Sequence, residues 1–140
     1  PFATARGLVG KGLMVTLPEA VISIGANIPV ARFVMPGAGD TEAMVREMLD
    51  LTDVFMMPGN GILAIGADLE QAYLRAELLE HLCKIDFYTQ QMGTPMALDE
   101  SDRQALLQKR TALGLGPTAP TDTHQMVRQI IEEELRKILK

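Results

Sequence analysis

Apolar residues along this chain recur at two spacings, and the spacing changes wherever glycine or proline intervenes. Phe2, Ala5 and Val9 share one side of a short helix within residues 1–12, where Gly7, Gly10 and Gly12 weaken it. Val21 to Ile24 reads as a short helix or a buried strand, and a run that short fits both. Ile28 to Val34 is rich in β-branched residues and predicts a strand, closed by Pro36 and Gly37. Asp40 or Thr41 then caps a helix in which Ala43, Met44, Val45, Met48 and Leu49 fall at helical spacing, running to about Leu51.

Residues 54–57 and 62–65 are two four-residue apolar segments flanking Pro58-Gly59-Asn60-Gly61, the composition of a hairpin. Asp68 caps the strongest helical pattern, near 68–92, where Leu69, Ala72, Tyr73, Ala76, Leu79, Leu82, Cys83 and Phe87 recur at three and four. Gly93-Thr94-Pro95 ends it. Asp99 or Ser101 opens another helix bearing Leu106, Leu107 and Leu113. In the last twenty residues Met126, Val127, Ile130, Ile131, Leu135, Ile138 and Leu139 form one apolar stripe. The expected organisation is one domain over 1–113, a Pro/Gly linker over 114–120 and a detached amphipathic helix over 121–140. The fold class is α/β with layered elements.

Composition narrows the function. With 140 residues, 47% hydrophobic and 22% charged, the chain has the size and mixture of one globular domain. Thirteen basic against eighteen acidic residues leave a formal charge of −5, with the acids dispersed, so neither nucleic acid nor an anionic membrane is an expected partner. No apolar run approaches the roughly 20 residues that span a bilayer, and no secretory pattern follows Pro1. Cys83, the sole cysteine, closes no intrachain disulfide and reads as an inert core thiol, which points to the cytoplasm.

Candidate chemistry is sparse. The two histidines, His81 and His124, are too far apart in sequence for a helical metal pair. Glu70, Glu77 and Glu80 lie on a helix with Arg75 and Lys84, the pattern of a solvated charged face. The nine methionines are expected mostly in the core. Gly37 with Gly39 and Gly59 with Gly61 make two Gly-x-Gly elements that read as turns, the first before a helix start where amides can cradle an anion. From the residues alone, the chain is a small α/β domain without a self-contained active site.

One stretch carries a resemblance. Ile28-Pro29-Val30, Pro36-Gly37, a helix, an apolar strand, Gly59-Asn60-Gly61 with Ile62 to Gly66, and Asp68-Leu69-Glu70-Gln71-Ala72 with Glu77 and Glu80 follow in that order. This resembles the carboxy-terminal half of the class II aldolase/adducin family, over roughly residues 1–113. The segment from Pro1 to Ala5 also looks like the residues that follow the family's His-x-His-Pro element. The resemblance implies an antiparallel sheet flanked by helices, a homotetramer, and a lyase that cleaves short sugars or sugar phosphates with a zinc held by three histidines and a glutamate moving the proton. The first two histidines and the glutamate belong to a part of the family pattern with no counterpart here. The third histidine of the Asn-His-Gly turn is matched by Asn60, whose neutral amide oxygen is a poor zinc ligand. Three readings of Asn60 stand side by side: a relative without metal chemistry, a contact to substrate or another metal, and a structural turn. Gly59 and Gly61 shape that loop in each.

The 121–140 segment, behind its linker, resembles the encapsulation peptides that carry enzymes into bacterial microcompartments. That implies a shell protein as partner and a microcompartment lumen as location. The alternative is a terminal helix packing on a neighbouring subunit.

Overall fold

The computed structural model describes residues 1–35 and 39–117. The expected amphipathic helix over 121–140, the last three residues of the linker (118–120) and the anion-cradle reading of Gly37 lie outside the described residues. The elements follow as α1 (Phe2–Val9), β1 (Leu13–Met14), α2 (Pro18–Ile24), β2 (Asn27–Ile28), α3 (Thr41–Leu49), β3 (Val54–Met57), β4 (Gly61–Ala64), α4 (Leu69–Met92) and α5 (Glu100–Ala112). The mixture of helices and small antiparallel sheets agrees with the α/β expectation.

β3 and β4 form the hairpin foreseen at Pro58-Gly59-Asn60-Gly61, antiparallel with Val54 opposite Ala64 and Met57 opposite Gly61. β1 and β2 form a second antiparallel pair, extended by a bond from the Val15 N–H to the Ala26 carbonyl. The chain leaving β2 joins the two pairs. Met56 donates to the Pro29 carbonyl, Ala31 donates to the Met56 carbonyl, and Val30 bridges Met56 in parallel.

The strand expected over Ile28 to Val34 is therefore mostly absent. Pro29 has no N–H to give a ladder, and beyond Ala31 the chain turns outward, leaving Phe33 and Met35 exposed. Val21 to Ile24 resolves as helix: Pro18 sits in the first turn of α2, where a missing N–H costs nothing, and Ala20, Val21 and Ile24 are buried. α3 stops at Leu49, two residues short of expectation, and Leu51 is exposed.

Two cores flank β3. Val54 and Met56 pack with Ala3, Leu13, Val15, Val21, Ile24, Ile28, Leu79, Leu82 and Cys83, whereas Phe55 packs on the opposite side with Ala31, Met44 and Met48. The strand's two-residue alternation is thus buried on both faces, which explains why its sequence is a continuous apolar run. Only Met44, Met48 and Met56 among the described methionines are buried; Met14, Met35, Met92 and Met96 are exposed, correcting the expectation of a mostly internal set.

Candidate functional site

The Gly59-Asn60-Gly61 turn is built by its own sequence. Pro58 presets the first central position, Gly59 takes φ 77°, and the Asn60 N–H donates to the Met57 carbonyl at 3.1 Å, the pattern of a type II turn. Gly61 then needs φ 97° to re-enter the strand, a value that an L side chain rarely adopts. Asn60 stands exposed between two glycines whose backbone geometry leaves little room for substitution.

The tip rests on α1. A side chain at Gly61 would meet the Thr4 hydroxyl at 3.6 Å, and α1 runs against both strands of the hairpin. The start of α1 is held in turn by α4: the Glu80 carboxylate accepts from the Phe2 and Ala3 amides at 2.8 and 2.9 Å. Burial pushes the Glu80 carboxyl up, but bonds from the Pro1 amino group and those two amides outweigh it and leave it below its ordinary range. Glu80 is thus a cap across elements rather than part of a solvated face. Lower on α1, Arg6 pairs with Asp86 of α4 and donates to the Gly12 carbonyl.

The base of the hairpin holds a cluster that the linear pattern did not reveal. Asp53, only 4% exposed, receives Arg75 from α4 at 3.1 Å and Arg110 from α5 at 2.9 Å on the same carboxylate oxygen. Arg75 also donates to the Ile65 carbonyl at 2.6 Å, and Arg110 to the carbonyls of Ile22 and Ser23 on α2. Burial lowers the pKa of Arg110, against the pull of Asp53. The expectation that Arg75 belongs to a solvated face is overturned: it is 7% exposed and ties two strand ends to the helix. The available signal was position, since Arg75 lies four before Leu79 and Arg110 three after Leu107, both on apolar stripes.

The remaining candidates do not converge. His81, Glu70 and Glu77 are exposed on α4, and His124 lies outside the described residues. Cys83 is buried, and burial pushes its thiol up to about 11, as expected of an inert core thiol. Cavities of about 380 Å³ open beside Phe2, Val9 and Phe87 and beside Met14, Pro29 and Leu51, and Asn60 lines neither. For metal the donors decide. Asn60 offers one neutral amide oxygen, and no three His, Cys, Asp or Glu side chains gather as a ligand set among the described residues. These residues do not by themselves fit zinc.

The family model of the class II aldolase and adducin N-terminal domain matches residues 1–87, well over half of the chain. The chain belongs to the class II aldolase/adducin family. A solved L-fuculose 1-phosphate aldolase shares its fold, with a TM-score of 0.69 over 77% of this chain at 19% identity. The chain spans half the length of that aldolase. A search of curated proteins found no match. Within the family frame, the Asp68-to-Glu80 segment that carried the resemblance is the first half of α4, and its two ends have separate structural roles. Asp68 caps the helix through the Gln71 amide at 2.8 Å, while the Gln71 side chain accepts from the Ala67 N–H. Glu80 caps α1.

Proposed function

We propose that this chain is part of a class II aldolase-like aldehyde-lyase that cleaves short sugars or sugar phosphates at a carbon–carbon bond. In this reading its share is the framework and one hydrogen-bonding turn, with the reactive groups and any zinc ligands lying outside the described residues, so that the chain alone is inactive. The observation that carries the reading is the exposed Asn60, held on a two-glycine turn by α1 and the hairpin. Its amide can donate to and accept from a sugar hydroxyl or phosphate oxygen, with Gly59 and Gly61 leaving the approach open. The working assembly is a homotetramer in the cytoplasm; no described helix is long and apolar enough to cross a membrane.

The test is aldehyde release from a fuculose-phosphate-like substrate, with zinc supplied, by the intact protein. Asn60→Ala should lower turnover or raise KM there without changing stability, because an exposed turn side chain carries little folding energy. A well-folded tetramer that releases no aldehyde rejects the lyase reading.

Asn60 itself favours a second reading, since an amide at the family's histidine position suits a non-catalytic, adducin-like interaction module. In that reading residues 121–140 dock a shell protein or other partner, within a microcompartment or the cytoplasm, through their apolar stripe. Removing residues 117–140 separates the outcomes. Lost co-assembly with an intact tetramer supports partner docking, whereas lost thermal stability identifies a packing element of the oligomer.

A further inference from the structure

The last rung of the β3–β4 hairpin, Met57 opposite Gly61, carries the Asn60 turn, and α1 lies directly on both of its members. A Cβ at Gly7 would touch the Met57 carbonyl oxygen at 3.6 Å and the Met56 Cβ at 3.5 Å, while one at Gly61 would meet the Thr4 hydroxyl at 3.6 Å. Thr4 and Gly7 share one face of the helix. The Met57 carbonyl is also the acceptor for the Asn60 N–H. Where α1 sits therefore decides where the turn sits.

Yet α1 does not hold its own first turn. Its N-cap is Pro1, which makes no side-chain cap. Glu80 supplies the cap from α4, with one carboxylate oxygen on the Phe2 amide at 2.8 Å and the other on the Ala3 amide at 2.9 Å. Its negative charge also suits the positive end of a helix. Thr4 is the next residue, so the clamp and the contact with Gly61 belong to the same helical turn. Other attachments keep α1 on α4: the Phe2 ring lies 5.7 Å from Phe87 and 6.2 Å from Tyr88, and Arg6 pairs with Asp86. Loss of Glu80 thus frees the backbone of the first turn while the helix stays docked.

We propose that Glu80 is a positioning residue for the substrate contact made by Asn60: its carboxylate fixes the first turn of α1, that turn fixes the Met57–Gly61 rung, and the rung aims the Asn60 amide. Glu80 touches no substrate itself. A carboxylate is needed because two N–H donors converge on its two oxygens. A glutamine offers one acceptor oxygen and turns an NH2 group toward the second donor. This rests on the reading of Asn60 as a hydrogen-bonding group for a sugar hydroxyl or phosphate oxygen, and adds the residue that sets its aim.

The test compares Glu80→Gln with Arg110→Met in the intact protein, the second variant weakening the base of the hairpin and its tie to α2 instead of the tip. Hydrogen exchange, read by peptide mass, should quicken about 2- to 30-fold over residues 57–61 in Glu80→Gln, the range of a lost helix cap, with residues 20–28 unchanged. Arg110→Met should give the reverse pattern. No change at the turn in Glu80→Gln, or equal quickening at both places, overturns the proposal.

Aldehyde release gives a second arm. KM should rise about 2- to 10-fold in Glu80→Gln, the worth of one hydrogen bond, with kcat per folded protein unchanged. A merely structural role would lower the folded fraction and leave KM alone. In an Asn60→Ala background, adding Glu80→Gln should move KM no further; an undiminished second rise overturns the proposal. An intact protein that releases no aldehyde rejects the lyase reading, and the exchange pattern still decides the positioning. An active enzyme whose turn is unmoved by Glu80→Gln rejects the positioning alone.

Discussion

Arg110 and Asp53, 57 positions apart in sequence, meet at 2.9 Å in the buried base of the hairpin. Arg75 shares the same carboxylate oxygen, so one anion serves two cations from two helices. The Nη1 groups of the two guanidiniums donate to the carbonyls of Ile65, Ile22 and Ser23, which helps make two internal arginines tolerable.

Replacing Asp53 should therefore cost more than replacing either arginine. Asp53→Ala leaves two buried cations without an anion, and a loss of about 3–5 kcal/mol is expected by denaturant unfolding. Arg110→Met, which leaves the Asp53–Arg75 pair in place, should cost distinctly less. Equal losses would mean that the carboxylate does not hold the cluster together.

Glu80 gives a pH signature. Its folded carboxyl sits below the ordinary value of 4.5, so its contribution is fully present above that value and is lost as pH falls through the lower folded pKa. Glu80→Gln should destabilise by about 0.5–2 kcal/mol near neutrality, the range of a helix cap. The gap between variant and parent should close in acid, as read by urea midpoints from pH 7 downward. A gap that is constant with pH would assign the effect to packing.

Gly66 has no room for a side chain. A Cβ there would fall 2.6 Å from the Ala72 nitrogen and 2.9 Å from the Gln71 Cβ, in the first turn of α4. Gly66→Ala should lower stability by about 1–3 kcal/mol through that overlap, measurable by thermal unfolding. Gly10→Ala is the control: open space surrounds it, and only its φ of 70° opposes the change.

Cys83 should resist thiol reagents in the folded protein at neutral pH. Its thiol is buried and titrates near 11, so thiolate is scarce and inaccessible. Labelling with an aromatic disulfide should be slow until denaturant is added and then run to one equivalent. Rapid labelling under native conditions would place α4 off the core.

What the linear chain disclosed and what it concealed follow from the range of the forces involved. The hairpin was legible because Pro58, Gly59 and Gly61 encode their turn locally, and α4 because Asp68 and Gly93 mark its ends. The strand foreseen to Val34 failed for a non-local reason: its propensity was sound, but no partner lies beside it after Ala31, and Arg32 instead reaches Asp40 at 2.8 Å. The same contact diverts the Asp40 carboxylate from capping α3, so the cap expected there is not made by its side chain. Asp53, Arg75 and Arg110 were passed over because charge suggests a surface, and only tertiary neighbours reveal three charges that satisfy one another. At the turn, the sequence singled out Asn60 and its glycines, while the supporting chain from Glu80 through α1 and Thr4 spans elements that no local pattern connects.

The bonds from Arg110 to Ile22 and Ser23 bridge 88 and 87 positions. During synthesis, α2 must wait for α5 to leave the ribosome before that staple can close, and until then Leu106 and Leu107 are missing from the cluster around Val21 and Ile24. Truncations that stop short of residue 110 lose that staple altogether and should unfold at lower denaturant than the full chain.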